Sequence, residues 1–91
     1  MNVTSRKSAL KDVEKLSSEI KLLILSEIER LQNTASLGEM GNVIKLKGKR
    51  KPPKYRLSID NYRIMMEKTE DGIIIDAIVS RKDAYMKKSS R

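Results

Sequence analysis

Leu10, Val13 and Leu16 recur three residues apart, with Lys11, Asp12, Glu14 and Lys15 between them. That spacing predicts an amphipathic helix from Ser5 to about Leu16 whose charged residues fill the solvent face. Ser17-Ser18 interrupts the pattern and is suited to capping a second helix. From Glu19 to Gln32 the apolar positions Ile20, Leu23, Ile24, Ile28 and Leu31 form one stripe. Leu22 and Leu25 widen it beyond a single face, which fits either a deeply wedged helix or a flank that meets a partner. The helix is expected to stop near Asn33, and TASLGEMGN reads as loop, with Gly38 and Gly41 inside it.

Beyond residue 54 the period changes to two. Tyr55, Leu57 and Ile59 alternate with Arg56 and Ser58, and Tyr62, Ile64 and Met66 alternate with Arg63, Met65 and Glu67. Asp60-Asn61 between them is a two-residue turn signal, so the stretch predicts a β-hairpin. With that turn as the loop, Ile59 faces Tyr62, Ser58 faces Arg63, Leu57 faces Ile64 and Arg56 faces Met65. Arg56, Ser58 and Arg63 then share one face, while Leu57, Ile59, Ile64 and Met66 point at the helices. Asp71-Gly72 reads as a second tight turn. The β-branched run GIIIDAIVSR after it reads as a well-covered strand. A helical hairpin followed by a three-stranded antiparallel meander is an α+β arrangement with segregated elements.

Composition narrows the chemistry. The 91 residues make one small domain, whose core must come from Ile, Leu, Val and Met because Phe and Trp are absent. There is no cysteine and no histidine, so disulfides, thiolate metal sites and imidazole acid–base catalysis are excluded, and a reducing cytoplasm is the expected setting. No metal or cofactor is expected. The longest apolar run is Leu22 to Leu25 and MNVTSRKS lacks an apolar core, so neither membrane insertion nor secretion is expected.

Charge is distributed unevenly. Residues 1–42 carry six basic and six acidic side chains, whereas residues 43–91 carry fourteen and six, which is the whole net charge of +8. A polyanion on one face is the natural partner. The densest basic stretch is KLKGKRKPPKYR, residues 45–56, with seven lysines and arginines and two consecutive prolines. It reads as an address label, as a solvated loop held extended by Pro52-Pro53, or as a contact for a polyanion. The last is favoured because the stretch runs straight into the Arg56 strand. Lys45, Lys47, Lys49, Arg50, Lys51 and Lys54, with Lys82 further on, are then the candidate RNA contacts, setting affinity and not sequence choice.

The element order, the segment SRKSALKDVEKL, the connection IKLKG, the hairpin YRLSIDNYRI and the closing IVSRKDAY together resemble the RelE/ParE superfamily of toxins from type II toxin–antitoxin modules. The resemblance runs from about Val3 to Tyr85. It implies a short N-terminal strand over Met1 to Thr4 before the helical hairpin, and a single toxin domain over residues 1–91 with a basic tail at 81–91. RelE-like members are described as ribosome-dependent endoribonucleases that cut mRNA in the decoding site, and ParE-like members as gyrase inhibitors without nuclease activity. The closing tyrosine and the density of basic residues look more like the former; the alternatives are a ParE-like toxin or a catalytically weak RNA-binding homologue. A cognate antitoxin is implied as a partner, with Leu22 and Leu25 as its apolar footing, and the ribosome and mRNA as the targets.

Carried over by position, the family's catalytic residues fall on Arg56, Arg63, Arg81 and Tyr85. Two lysines of well-studied members are replaced by Arg56 and Ser58, and a Gly-His pair by Val79-Ser80, which removes candidates for a general base. Cleavage of this type uses the 2′-hydroxyl as nucleophile, giving a 2′,3′-cyclic phosphate and a 5′-hydroxyl. Arginines suit the stabilisation of the phosphorane oxygens but stay protonated. A lysine of lowered pKa could act as the base, and Lys54 and Lys47 are the nearby choices. Tyr85 either stacks on a base or assists proton transfer, or else packs on the sheet edge.

Overall fold

A computed structural model describes residues 1–48 and 51–82 of the chain. Strand β1 (Asn2–Ser5) leads into helix α1 (Lys7–Glu14) and helix α2 (Ser18–Gln32). A 3-10 turn at Leu37–Glu39 precedes the short β2 (Val43–Lys45), and β3 (Lys54–Ile59), β4 (Tyr62–Lys68) and β5 (Gly72–Ser80) follow. The five strands form one sheet in the order β1-β5-β4-β3-β2. All neighbours are antiparallel except β1, which runs parallel to β5. No described helix is long and apolar enough to cross a membrane.

Both helices and the 3-10 turn contribute to a core on one side of the sheet. Leu57, Ile64, Met66, Ile73, Ile75 and Ile78 meet Ala9, Ile24, Leu31, Leu37 and Met40 there. The predicted hairpin register holds at every pair from Ile59↔Tyr62 to Arg56↔Met65. Asp60 takes a left-handed φ of 51° in the turn, a conformation its short polar side chain tolerates. Ser17 caps α2 by accepting from Ile20 N at 3.3 Å.

Three features differ from the sequence expectation. The residues of the expected loop do more than connect, since Leu37 and Met40 are buried, and just beyond it Val43–Lys45 pairs with β3 as an edge strand. Asn42 fixes that edge, donating from Nδ2 to Glu27 Oε1 on α2 and to Ser58 O on β3. The second turn lies one residue earlier than Asp71-Gly72, at Glu70-Asp71, closed by Thr69 N donating to Gly72 O at 2.8 Å. Gly72 itself opens β5, where β1 passes so close that an added Cβ would lie 1.8 Å from Asn2 O.

The third difference is the rotation of α1. Val13 and Leu16 pack against the core as expected, but Leu10 is 54 % exposed and Ala9 is buried in its place. Polar groups set this orientation. Asp12 Oδ2 accepts from Ile78 N at 2.9 Å and Ser8 Oγ donates to Asp76 O at 2.8 Å. Strand β1 ends at Ser5, so β5 beyond Ile75 lacks a strand on that edge. The two α1 side chains serve its backbone groups instead, and the small Ala9 allows the close approach.

Candidate nucleic-acid interface

The helices leave the other face of the sheet open, and the register sorts its side chains into three transverse rows, successive rows about 7 Å apart. The first holds Lys54 opposite Glu67. The second runs Ile44, Arg56, Met65, Ala77. The third runs Ser58, Arg63, Val79. A β-bulge between Met65 and Met66 adds Asp76 to the open side, because the bulged strand turns two successive residues the same way.

The first row closes into a ring of four charges. Lys54 Nζ binds Glu67 Oε1; Glu67 Oε2 accepts from Arg6 at 2.9 Å; Arg6 Nε donates to Asp76 Oδ1 at 2.5 Å; and Asp76 Oδ2 returns to Lys54 at 3.2 Å. All four carboxylate oxygens are engaged and the ring is neutral. Burial pulls the Lys54 ammonium down, but hydrogen bonds to Glu67 and Asp76 outweigh it and leave its pKa raised. The Lys54 hydrogen bond is also the main reason Glu67 sits below the usual carboxylate range, with Arg6 adding to the effect against an opposing burial cost. Lys54 is therefore corrected on two counts: its pKa moves in the wrong direction for a general base, and its charge is committed within the protein.

The other predicted residues divide by position. Arg56 Nε is buried and has no hydrogen-bond partner. Arg63, its diagonal neighbour, folds Nη1 onto the carbonyls of Asp60 at 3.1 Å and Tyr62 at 2.8 Å. Arg81 N donates to Asn61 O at 2.6 Å, which brings the end of β5 to the same turn. Asn61, Ser80, Arg81 and Lys82 line a depression there. Lys45, Lys47 and Lys51 are exposed at the opposite end of the sheet. Lys47 lies two residues past the end of β2, beyond the Leu46 N to Lys54 O bond of 2.9 Å, and so on the far side of the Lys54 row from Arg56. Lys49, Arg50 and Tyr85 lie outside the described residues. Leu22 and Leu25 are 69 % and 54 % exposed, so the wedged-helix alternative fails.

A family model described as "ParE toxin of type II toxin-antitoxin system, parDE" matches residues 3–85. The chain is also 34 % identical over 86 residues to Toxin RelE3 of Methanocaldococcus jannaschii, covering 93 % of this chain and 96 % of that one. The chain belongs to the RelE/ParE superfamily of type II toxins. Among solved structures, the RelB–RelE antitoxin–toxin complex from Methanococcus jannaschii contains a chain 32 % identical, with a TM-score of 0.74 over 90 % of this chain and 94 % of that one. The archaeal RelE–RelB complex from Pyrococcus horikoshii OT3 shares the fold, with a TM-score of 0.72 at 23 % identity over 88 % and 93 %. The order of one strand, two helices and an antiparallel set is thus the RelE-like fold.

Within that superfamily fold, the charge ring and the Asp12 contact are the features that sequence reasoning missed. The ring links residues 6, 54, 67 and 76, and no local spacing announces such a set. Asp12 has a weaker signal, an acidic residue two positions ahead of Glu14 on an otherwise lysine-rich face, which gives no reason to turn it toward the sheet.

Proposed function

We propose that the protein is a RelE-type mRNA interferase that cuts mRNA on the ribosome and is neutralised by an acidic cognate antitoxin. The observation that carries this reading is the Arg56 guanidinium, set on the open face with an unpartnered Nε beside the Ser58–Arg63 row. An uncompensated buried donor costs about 1–3 kcal/mol, which an arriving phosphate oxygen can return once the side chain turns toward it. Arg63 and Arg81 approach from the turn end, and forked guanidinium donors fit the equatorial oxygens of a phosphorane.

The 2′-hydroxyl supplies the nucleophile, so the protein's part is orientation and charge stabilisation. With Lys54 held in its ring, the remaining candidates for proton transfer are Lys47, far along the sheet, and Tyr85. Lys45, Lys47, Lys51 and Lys82 give non-specific attraction to the phosphate backbone, as Lys49 and Arg50 do in this reading. Relatives of the same fold are described in complexes with antitoxins, and Leu22 and Leu25 offer an antitoxin helix an apolar footing on α2.

The test is induction of the protein alone in cells, followed by mapping of mRNA ends. Growth arrest with cuts between codon positions is expected, and Arg56→Ala or Arg63→Ala is expected to abolish it while the circular-dichroism spectrum is unchanged. Full toxicity in either folded variant overturns the site. A second reading, a gyrase-directed toxin that cuts nothing, is favoured by the ParE description of the matching family model and by the unavailability of Lys54 as a base. Intact mRNA with gyrase-linked DNA breaks decides for it.

A further inference from the structure

The middle row of the open face is unlike its neighbours. Ile44, Met65 and Ala77 are apolar, and Ile44 is 48 % exposed although it stands directly opposite Arg56. On one side lies the neutral ring, in which each carboxylate oxygen already has a cationic partner. On the other lies the cationic Ser58–Arg63 row. An apolar strip against a phosphate-binding row matches the two-part chemistry of a nucleotide. The described tyrosines do not supply a stacking surface here, since Tyr55 and Tyr62 pack against the core on the opposite face.

We propose that Ile44 and Met65 form a nucleobase platform on either side of Arg56, taking the base of a nucleotide whose phosphate is held toward Arg63. This rests on the RNA-binding reading of the open face and adds to it the place where a base is seated. The aliphatic walls bury one face of the base, and the Arg56 guanidinium plane stacks on it. Because the contacts proposed here are apolar and stacking ones, which every base can make, the platform selects an unstacked, single-stranded nucleotide and not a particular base. The Arg56 Nε, buried and without a partner in the protein, then gains its acceptor from the phosphate of the same nucleotide once the side chain turns toward it.

The experiment measures binding of a non-cleavable single-stranded RNA hexamer at low salt, together with a set of hexamers each lacking one base. The unsubstituted protein is expected to lose affinity at one abasic position, by roughly fivefold. Ile44→Thr, which keeps a β-branched residue on the edge strand, and Met65→Gln, which keeps the side-chain length, should each weaken the intact hexamer by a similar factor. Neither should further weaken the hexamer abasic at that position. Equal weakening of intact and abasic hexamers, or no weakening, overturns the platform. If Met65→Gln does not fold, Ile44→Thr alone decides. Arg63→Ala should weaken every hexamer; if it does not while the Ile44 coupling persists, the phosphate site fails and the platform stands, whereas full binding of the intact hexamer by Arg56→Ala overturns the platform. An unsubstituted protein that binds no hexamer overturns both.

Discussion

Lys54 shows how little a residue's type says about its role. In the sequence it is one of seven cations in a twelve-residue run, and among the described residues of that run it is the one that binds Glu67 and Asp76. The ring has a definite pH signature. Glu67 has a depressed folded pKa, so its stabilisation is complete above the unfolded value of about 4.3 and is lost as pH falls through the folded value. Lys54 has a raised one, so its share is complete below about 10.4 and is lost as pH rises through the folded value. Thermal melts from pH 2 to 6 should therefore show an acid limb that Glu67→Gln flattens, with that variant about 1 kcal/mol less stable at neutral pH. An unchanged acid limb in Glu67→Gln would remove the ring from the stability of the fold.

At the scale of elements, the hairpin was readable because its alternation, its turn residues and its burial all point to one register, Leu57 against Ile64. Strand β2 was not, since three residues between a loop and a lysine cluster carry no period, and the partners of Asn42 that fix them, Glu27 and Ser58, lie on α2 and β3. The rotation of α1 was misread for a related reason: Ser8 and Asp12 look like solvent-facing residues until β5 presents backbone groups to them. Asp12→Ala strands the Ile78 amide and should cost ~1–2 kcal/mol, with faster exchange at that amide, whereas Asp12→Asn retains an acceptor and should recover most of the loss. Gly72→Ala tests the neighbouring junction. Its Cβ cannot coexist with the Asn2 backbone, so β1 must move, and melting should show a loss of at least ~2 kcal/mol with deprotection of β1 amides before those of β4.

For the molecule as a whole, the net charge of +8 is not spread over the open face. Among the described residues the ring neutralises one row, leaving Arg56, Arg63 and Arg81 toward the Asp60-Asn61 turn and Lys47 and Lys51 at the far end of the sheet, while Lys45, opposite Tyr55, belongs to the other face. Sequence alone gave the asymmetry between the halves of the chain, but the division into two cationic ends depends on which charges are paired in three dimensions. For single-stranded RNA, each phosphate contact contributes about 0.7 to the slope of log affinity against log salt. Lys47→Ala and Lys51→Ala should each reduce that slope by up to this amount without changing base preference. On the helical side, Leu22→Asp with Leu25→Asp should weaken antitoxin capture more than tenfold in a pull-down titration while growth arrest by the free protein persists.

The parallel pairing of β1 with β5 joins residues 2–5 to residues 72–75, and Arg6 reaches Asp76 across a similar interval. During synthesis, β1 leaves the ribosome first and has no strand to join until β5 has been made. Contacts so far apart in the chain also close late in folding. The helical hairpin, with Leu22 and Leu25 on its outer surface, is exposed before the sheet's open face is complete. A binder that recognises the hairpin can therefore reach the nascent chain before the arginines are assembled, and birth of the toxin and its restraint become a question of timing on the polysome.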